Sequence, residues 1–131
     1  VGTDTQEYLR FWSGLEPIYN YNFDYYSNFE SGYKVVFSII KSFTNSEVIF
    51  LLFNALFALV PLYLGLKKIL NSHVIISLII YYSVFFIPYT LNGMRQAIAM
   101  GLFVLALPYF LSKKSISVFF LTLLASLFHS S

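Results

Sequence analysis

The sequence predicts an all-α membrane protein: a polytopic transmembrane helix bundle, about four spans in this fragment, with an extracytoplasmic head of loop and interfacial helix. Three observations predict it. The chain is 58% hydrophobic and 11% charged, with a mean hydropathy of +0.71, whereas soluble domains carry about 25% charged residues. Its charges are segregated, with all six acids and three bases in residues 1–47 and five bases but no acid in residues 48–131. Four uncharged segments then follow one another: Val48 to Leu66, Val74 to Gly93, Gln96 to Leu111 and Ser115 to Phe128.

Residues 1–46 form the predicted head. Asp4 suits a turn or the N-cap of a helix at Gln6 to Trp12, and suits a site residue equally. From Trp12 to Phe29 the chain is dense in Tyr, Asn, Ser and Phe without a clear period, which predicts an ordered loop because aromatic content argues against disorder. Tyr33, Val36, Phe37, Ile40 and Phe43 recur every three or four residues. That spacing is one apolar helical face, and it predicts a short amphipathic helix over about 32–43 on the outer membrane surface. Asn45-Ser46-Glu47 supplies capping residues for the helix that follows.

Spans are predicted over about 47–66, 73–93, 95–112 and 115–131, since a crossing takes about 20 residues. Pro61, Pro88 and Pro108 fall inside them and predict kinks, because neighbouring helices re-satisfy the freed backbone groups. Lys67-Lys68 and Lys113-Lys114 mark two cytoplasmic loops by the positive-inside rule. Counting outward from them places residues 1–46, the Asn92 to Gln96 connection and His129 to Ser131 on the outer side. The chain begins at Val1 without a signal-peptide pattern and ends in an apolar run, as expected of an internal fragment.

Several chemistries are excluded. Cysteine is absent, which removes disulfides, thiolate nucleophiles and Cys-ligand zinc together. Two distant histidines make a poor metal set. Lys and Arg are not clustered on a soluble face, so no nucleic-acid partner is expected, and no G-x-x-x-x-G-K phosphate loop is present.

Arg95 is the only Asp, Glu, Lys or Arg between Lys68 and Lys113. A lone cation at the centre of a span costs roughly 2.5–3.5 kcal/mol on insertion scales, so it belongs at an interface, in a polar cavity or on an anion. Alone, Arg95 fits an interfacial anchor or a lipid-phosphate ligand, Glu30 a solvated loop acid and His129 a polar rim residue. In combination they have a chemical logic. A guanidinium offers a planar fork suited to two phosphate oxygens, and a neutral imidazole accepts a hydroxyl proton near physiological pH. Aromatic residues of the head suit stacking on sugar rings. The ligand so described is a lipid diphosphate sugar.

Four motifs stand in order: Val1-Gly2-Thr3-Asp4-Thr5-x-x-Tyr8, Phe29-Glu30-Ser31-Gly32-Tyr33, Asn92-Gly93-x-Arg95-Gln96-x-Ile98-Ala99 and Ala125-x-x-Phe128-His129-Ser130-Ser131. Together they resemble the EpsG family of Wzy-like polysaccharide polymerases, over the whole fragment. Ser31 stands where the family often has Pro, a departure that bears on loop rigidity more than on chemistry.

The resemblance implies a multi-pass bacterial cytoplasmic-membrane glycosyltransferase, active on the outer leaflet. It would join undecaprenyl-diphosphate-linked oligosaccharide repeat units into exopolysaccharide, capsule or O-antigen. Arg95 would hold the donor diphosphate and His129 would activate or position the acceptor hydroxyl, with inversion at the anomeric carbon and no metal or other cofactor. Asp4, Tyr8, Glu30, Tyr33 and Gln96 are the implied substrate-binding residues. Implied partners are membrane lipids, a flippase and a chain-length regulator. A transporter or flippase for a lipid-linked or anionic substrate, and an O-antigen-ligase-like transferase, are the alternative functions.

Overall fold

A computed structural model describes residues 3–86, 88 and 93–129. Among them all regular elements are helical: α1 Thr3–Gly14, a 3-10 turn Ile18–Asn20, α2 Ser31–Lys41, α3 Glu47–Leu70, α4 Val74–Val84, α5 Met94–Leu111 and α6 Ser115–Phe128. The expected loop over Trp12 to Phe29 is thus helical at its start and then held by turns. Tyr26 sits in one of these turns at φ 48°, a conformation uncommon for non-glycine residues. Its ring packs on Phe11 and Phe29 at centroid distances of 5.5 and 5.2 Å.

α1 and α2 are tied together by polar contacts to the backbone. Lys34 Nζ donates to the Phe23 and Tyr25 carbonyls at 2.7 and 3.3 Å, Lys41 Nζ to the Trp12 carbonyl at 2.8 Å, and Ser38 Oγ to the Glu16 carbonyl. Lys34 therefore satisfies loop carbonyls that regular structure leaves open, and Lys41 adds a second donor to a carbonyl in the last turn of α1. Part of the predicted apolar face is turned inward, while Phe43, just beyond α2, is 85% exposed. Tyr33 and Phe37 have no exposed area, because rings from α1, α3 and α6 cover them.

α3 starts where its cap predicts, with Ser46 Oγ accepting from the Ile49 N–H at 3.5 Å. It runs through Pro61 for 24 residues, and α5 runs through Pro108 for 18. At about 1.5 Å per residue each matches a hydrocarbon core of about 30 Å, and among the described residues these are the two helices long and apolar enough to cross a membrane. α4 and α6, of 11 and 14 residues, are shorter. The expected helix over 73–93 is α-helical to Val84, and beyond it Phe86 and Pro88 are in π-helical conformation. Residues 87 and 89–92, including the expected Asn92 of the outer connection, lie outside the described residues.

Small residues set the packing. A Cβ on Gly65 would lie 2.6 Å from the Val104 carbonyl oxygen, and one on Gly101 would overlap the Ala58 carbonyl. Such close approach is how membrane helices associate when lipid competes equally well for apolar surface. The pairs Ala58–Gly101, Gly65–Val104 and Lys68–Tyr109 also show that α3 and α5 run in the same direction, with α4 between them in the chain. α6 runs back again, ending beside α2. The outer faces stay apolar: Ile75, Ile79, Ile116 and Phe119 are all exposed, as a lipid-facing surface requires.

One buried polar pair pins the head to α3. Tyr33 donates to Asn54 Oδ1 at 2.7 Å, and Asn54 Nδ2 donates to the Phe50 carbonyl at 2.9 Å. Burial pushes the Tyr33 phenol well above its usual range, so it remains a neutral donor. Tyr33→Phe leaves the buried Asn54 oxygen unpaired and is expected to cost about 1–3 kcal/mol. Adding Asn54→Leu removes the orphan and should restore most of that loss. Thermal unfolding of the purified variants tests this, and a double variant no more stable than Tyr33→Phe would show that the pair is not coupled.

Candidate functional site

The site forms where the head meets one end of the bundle. Arg95 is the second residue of α5, near the end of the helix, where the cost of a membrane charge falls. Its Nη1 donates to Glu30 Oε2 at 2.6 Å and to the Asn28 carbonyl at 2.9 Å. Its Nε and backbone N–H both point at the Tyr8 hydroxyl, at 3.3 and 3.5 Å, and its guanidinium lies over the Phe29 ring at 4.0 Å. The side chain retains 20% exposure against 11% for Glu30, so the pair is partly shielded but reachable.

Glu30 is the N-cap residue of α2 and makes no capping bond there, which leaves its carboxylate for α5 and α6. Its Oε2 meets Arg95, and its Oε1 lies 3.6 Å from His129 Nδ1. His129 is the C-cap of α6, in extended conformation. The ring is 31% exposed, yet its Nδ1 is buried and has no hydrogen-bond partner.

Gly32 makes this meeting possible. A Cβ there would lie 2.6 Å from Leu127 Cβ and against the Leu127 carbonyl, so only a residue without a side chain lets the first turn of α2 press on the last turn of α6. Beneath lies a stack of rings, with Tyr8, Phe11, Phe29, Tyr33, Phe37, Phe50 and Phe128 forming one buried cluster. Trp12 extends it, stacked on Phe50 at 4.8 Å.

Of the residues singled out in the sequence, the structure brings together Tyr8, Glu30, Arg95 and His129. Tyr33 is in the same cluster but fully buried, touching Tyr8 from below at 6.1 Å. Gln96 is exposed beside Arg95. Asp4 is an exposed residue in the first turn of α1, where a carboxylate favours the helix dipole. Gly2, Ser130 and Ser131 lie outside the described residues. Two contributors carried no separate signal of their own: the Asn28 backbone carbonyl, invisible to any residue pattern, and Phe29, whose place directly before Glu30 is the only hint that it would stack on a cation. Among the described residues no three His, Asp or Glu side chains are placed to hold a metal ion.

Chemically, the arrangement offers a fixed cation at the end of a bundle, a carboxylate shared between that cation and an imidazole, and an aromatic floor. The EpsG family model matches residues 1–131, the whole chain. The chain belongs to the EpsG family. No match was found among curated proteins or solved structures. EpsG membership, together with two helices suited to crossing a bilayer, marks a polysaccharide-polymerase-like membrane protein. Its EpsG motifs converge in part: the Tyr8, Glu30 and Arg95 motifs and the His129 motif each send one side chain to the same end of the bundle.

Proposed function

We propose that this EpsG-family chain is an integral membrane polysaccharide polymerase. It joins undecaprenyl-diphosphate-linked repeat units on the outer face of the bacterial cytoplasmic membrane, in exopolysaccharide, capsule or O-antigen synthesis. The observation that carries this is the convergence of Arg95, Glu30 and His129, distant in sequence, at one end of an apolar bundle. In this proposal the bundle crosses the membrane four times, with the lysine pairs inside and the site outside. Lipid-carried donors are the activated sugars available on that side, and their diphosphate linkage supplies the driving force.

The proposed step is a single displacement. An acceptor hydroxyl gives its proton to the His129 ring, and its oxygen bonds to the anomeric carbon from the face opposite the leaving group. The bond from that carbon to the diphosphate oxygen breaks, and the lipid diphosphate departs with the electron pair. Arg95 holds the departing anion, after which His129 returns its proton to the diphosphate or to water. Exposed aromatic side chains of the head, such as Tyr19 and Phe23, are suited to stack on the sugars. Flippase and chain-length proteins would act beside it.

His129→Ala in the full-length protein should remove the high-molecular-weight polymer ladder while membrane insertion is retained. With any cysteine outside this cysteine-free sequence replaced by Ser, Gln96→Cys in the same protein gives a clean topological readout with a membrane-impermeant thiol reagent. A normal ladder from His129→Ala refutes the base. Labelling at position 96 from the cytoplasmic side alone refutes the placement and favours a transporter.

A further inference from the structure

We infer that Glu30 is a positioning residue: its carboxylate holds the proton of His129 on Nδ1, leaving Nε2 as the basic nitrogen, while its other oxygen restrains Arg95 until a diphosphate takes its place. The last clause rests on the polymerase proposal; the first does not.

The geometry carries it. One carboxylate faces two groups, Arg95 Nη1 at 2.6 Å through Oε2 and His129 Nδ1 at 3.6 Å through Oε1. An ionised carboxylate only accepts hydrogen bonds, whereas a neutral imidazole has one nitrogen of each kind. The nitrogen turned toward the carboxylate is therefore the one favoured to carry the proton. Nδ1 is buried and otherwise unpartnered, so water does not compete for that proton. At 3.6 Å the contact is longer than a hydrogen bond, and catalytic contacts of this kind tighten when the reactant complex forms.

Donor binding supplies the closure. Phosphate oxygens compete with Oε2 for the guanidinium and, being anionic, repel the carboxylate. Glu30 then turns from Arg95 toward His129, and its negative charge stabilises the imidazolium formed when the acceptor is deprotonated. An acid oriented in this way serves the imidazole as the buried aspartate does in a hydrolytic triad. The same exchange links donor occupancy to base activation, because Glu30 is fully available to His129 only when the diphosphate is present.

The test reads the tautomer directly. In the full-length protein with His73 and any further histidine replaced by Gln, nitrogen-15 labelling of His129 reports the neutral ring's tautomer ratio at alkaline pH. The Nδ1–H form is expected to dominate, and Glu30→Ala should lower its share relative to Nε2–H by about tenfold, the loss of the carboxylate's attraction for the Nδ1–H dipole across a shielded 3.6 Å gap. Glu30→Gln, which keeps the shape if Glu30→Ala fails to fold, should give an intermediate ratio. An unchanged ratio in a folded Glu30 variant overturns the inference, even if Arg95 and His129 variants lose all polymer. A shifted ratio with polymer unaffected by Arg95 and His129 variants upholds the positioning role and overturns the polymerase proposal instead.

Discussion

Arg95→Lys in the full-length protein is expected to abolish the polymer ladder although its charge is conserved. The guanidinium makes four different contacts at once: Glu30 Oε2, the Asn28 carbonyl, the Tyr8 hydroxyl and the face of Phe29. A lysine is a point charge on a flexible stem and cannot match a planar fork that both stacks and binds side-on. Removing such a preorganised donor set from a developing anion costs on the order of 10²–10³-fold in turnover. With any further tryptophan of the full-length protein replaced by Phe, Trp12 gives a control for folding, because it is buried against Phe50 at the head–bundle junction. A native Trp12 emission maximum with no ladder is the expected result. A normal ladder would show that Arg95 only anchors the head.

The second large effect is structural. Gly101→Leu is expected to prevent recovery of folded, monodisperse protein. Even a Cβ at this position overlaps the Ala58 carbonyl, and backbone cannot rotate away as a side chain can. Overpacking of a tight interface costs about 1–3 kcal/mol or more, here compounded by three further carbons driven between α3 and α5. Phe103→Leu is the matched control, on the same helix but 54% exposed, and should behave as the native protein does. Thermal aggregation midpoints in detergent distinguish the two. Equal midpoints for Gly101→Leu and the native chain would mean that the helices do not meet as described.

What was legible in the sequence was local. The period of Tyr33, Val36, Phe37 and Ile40 encodes a helical face, and Ser46 before an apolar run encodes a cap, because both depend on residues within a turn of each other. What lay beyond reach was the direction in which such faces turn. The face of α2 reads as suited to a membrane surface, yet rings of α1, α3 and α6 occupy part of it. Asn54, the lone carboxamide in Val48 to Leu66, was not singled out, and its partner, Tyr33, is 21 residues away. The Arg95–Glu30 contact joins residues 65 apart, and no periodicity reaches that far. The lysine pairs, counted outward, placed the head, Arg95 and His129 on a common side, but not in contact.

The pairing of Arg95 with Glu30 also bears on selectivity. With both ionised, the pair carries no net charge, so the empty site presents little bare positive potential to passing anions. A small soluble phosphate would have to displace a tethered carboxylate that never diffuses away, and would gain only the difference between two similar contacts. A ligand held elsewhere as well, through its lipid tail or its sugars, brings additional binding energy to that exchange. Under the proposed function, Glu30 would thus be a built-in competitor, setting a threshold that favours anchored diphosphates over the free anions around them.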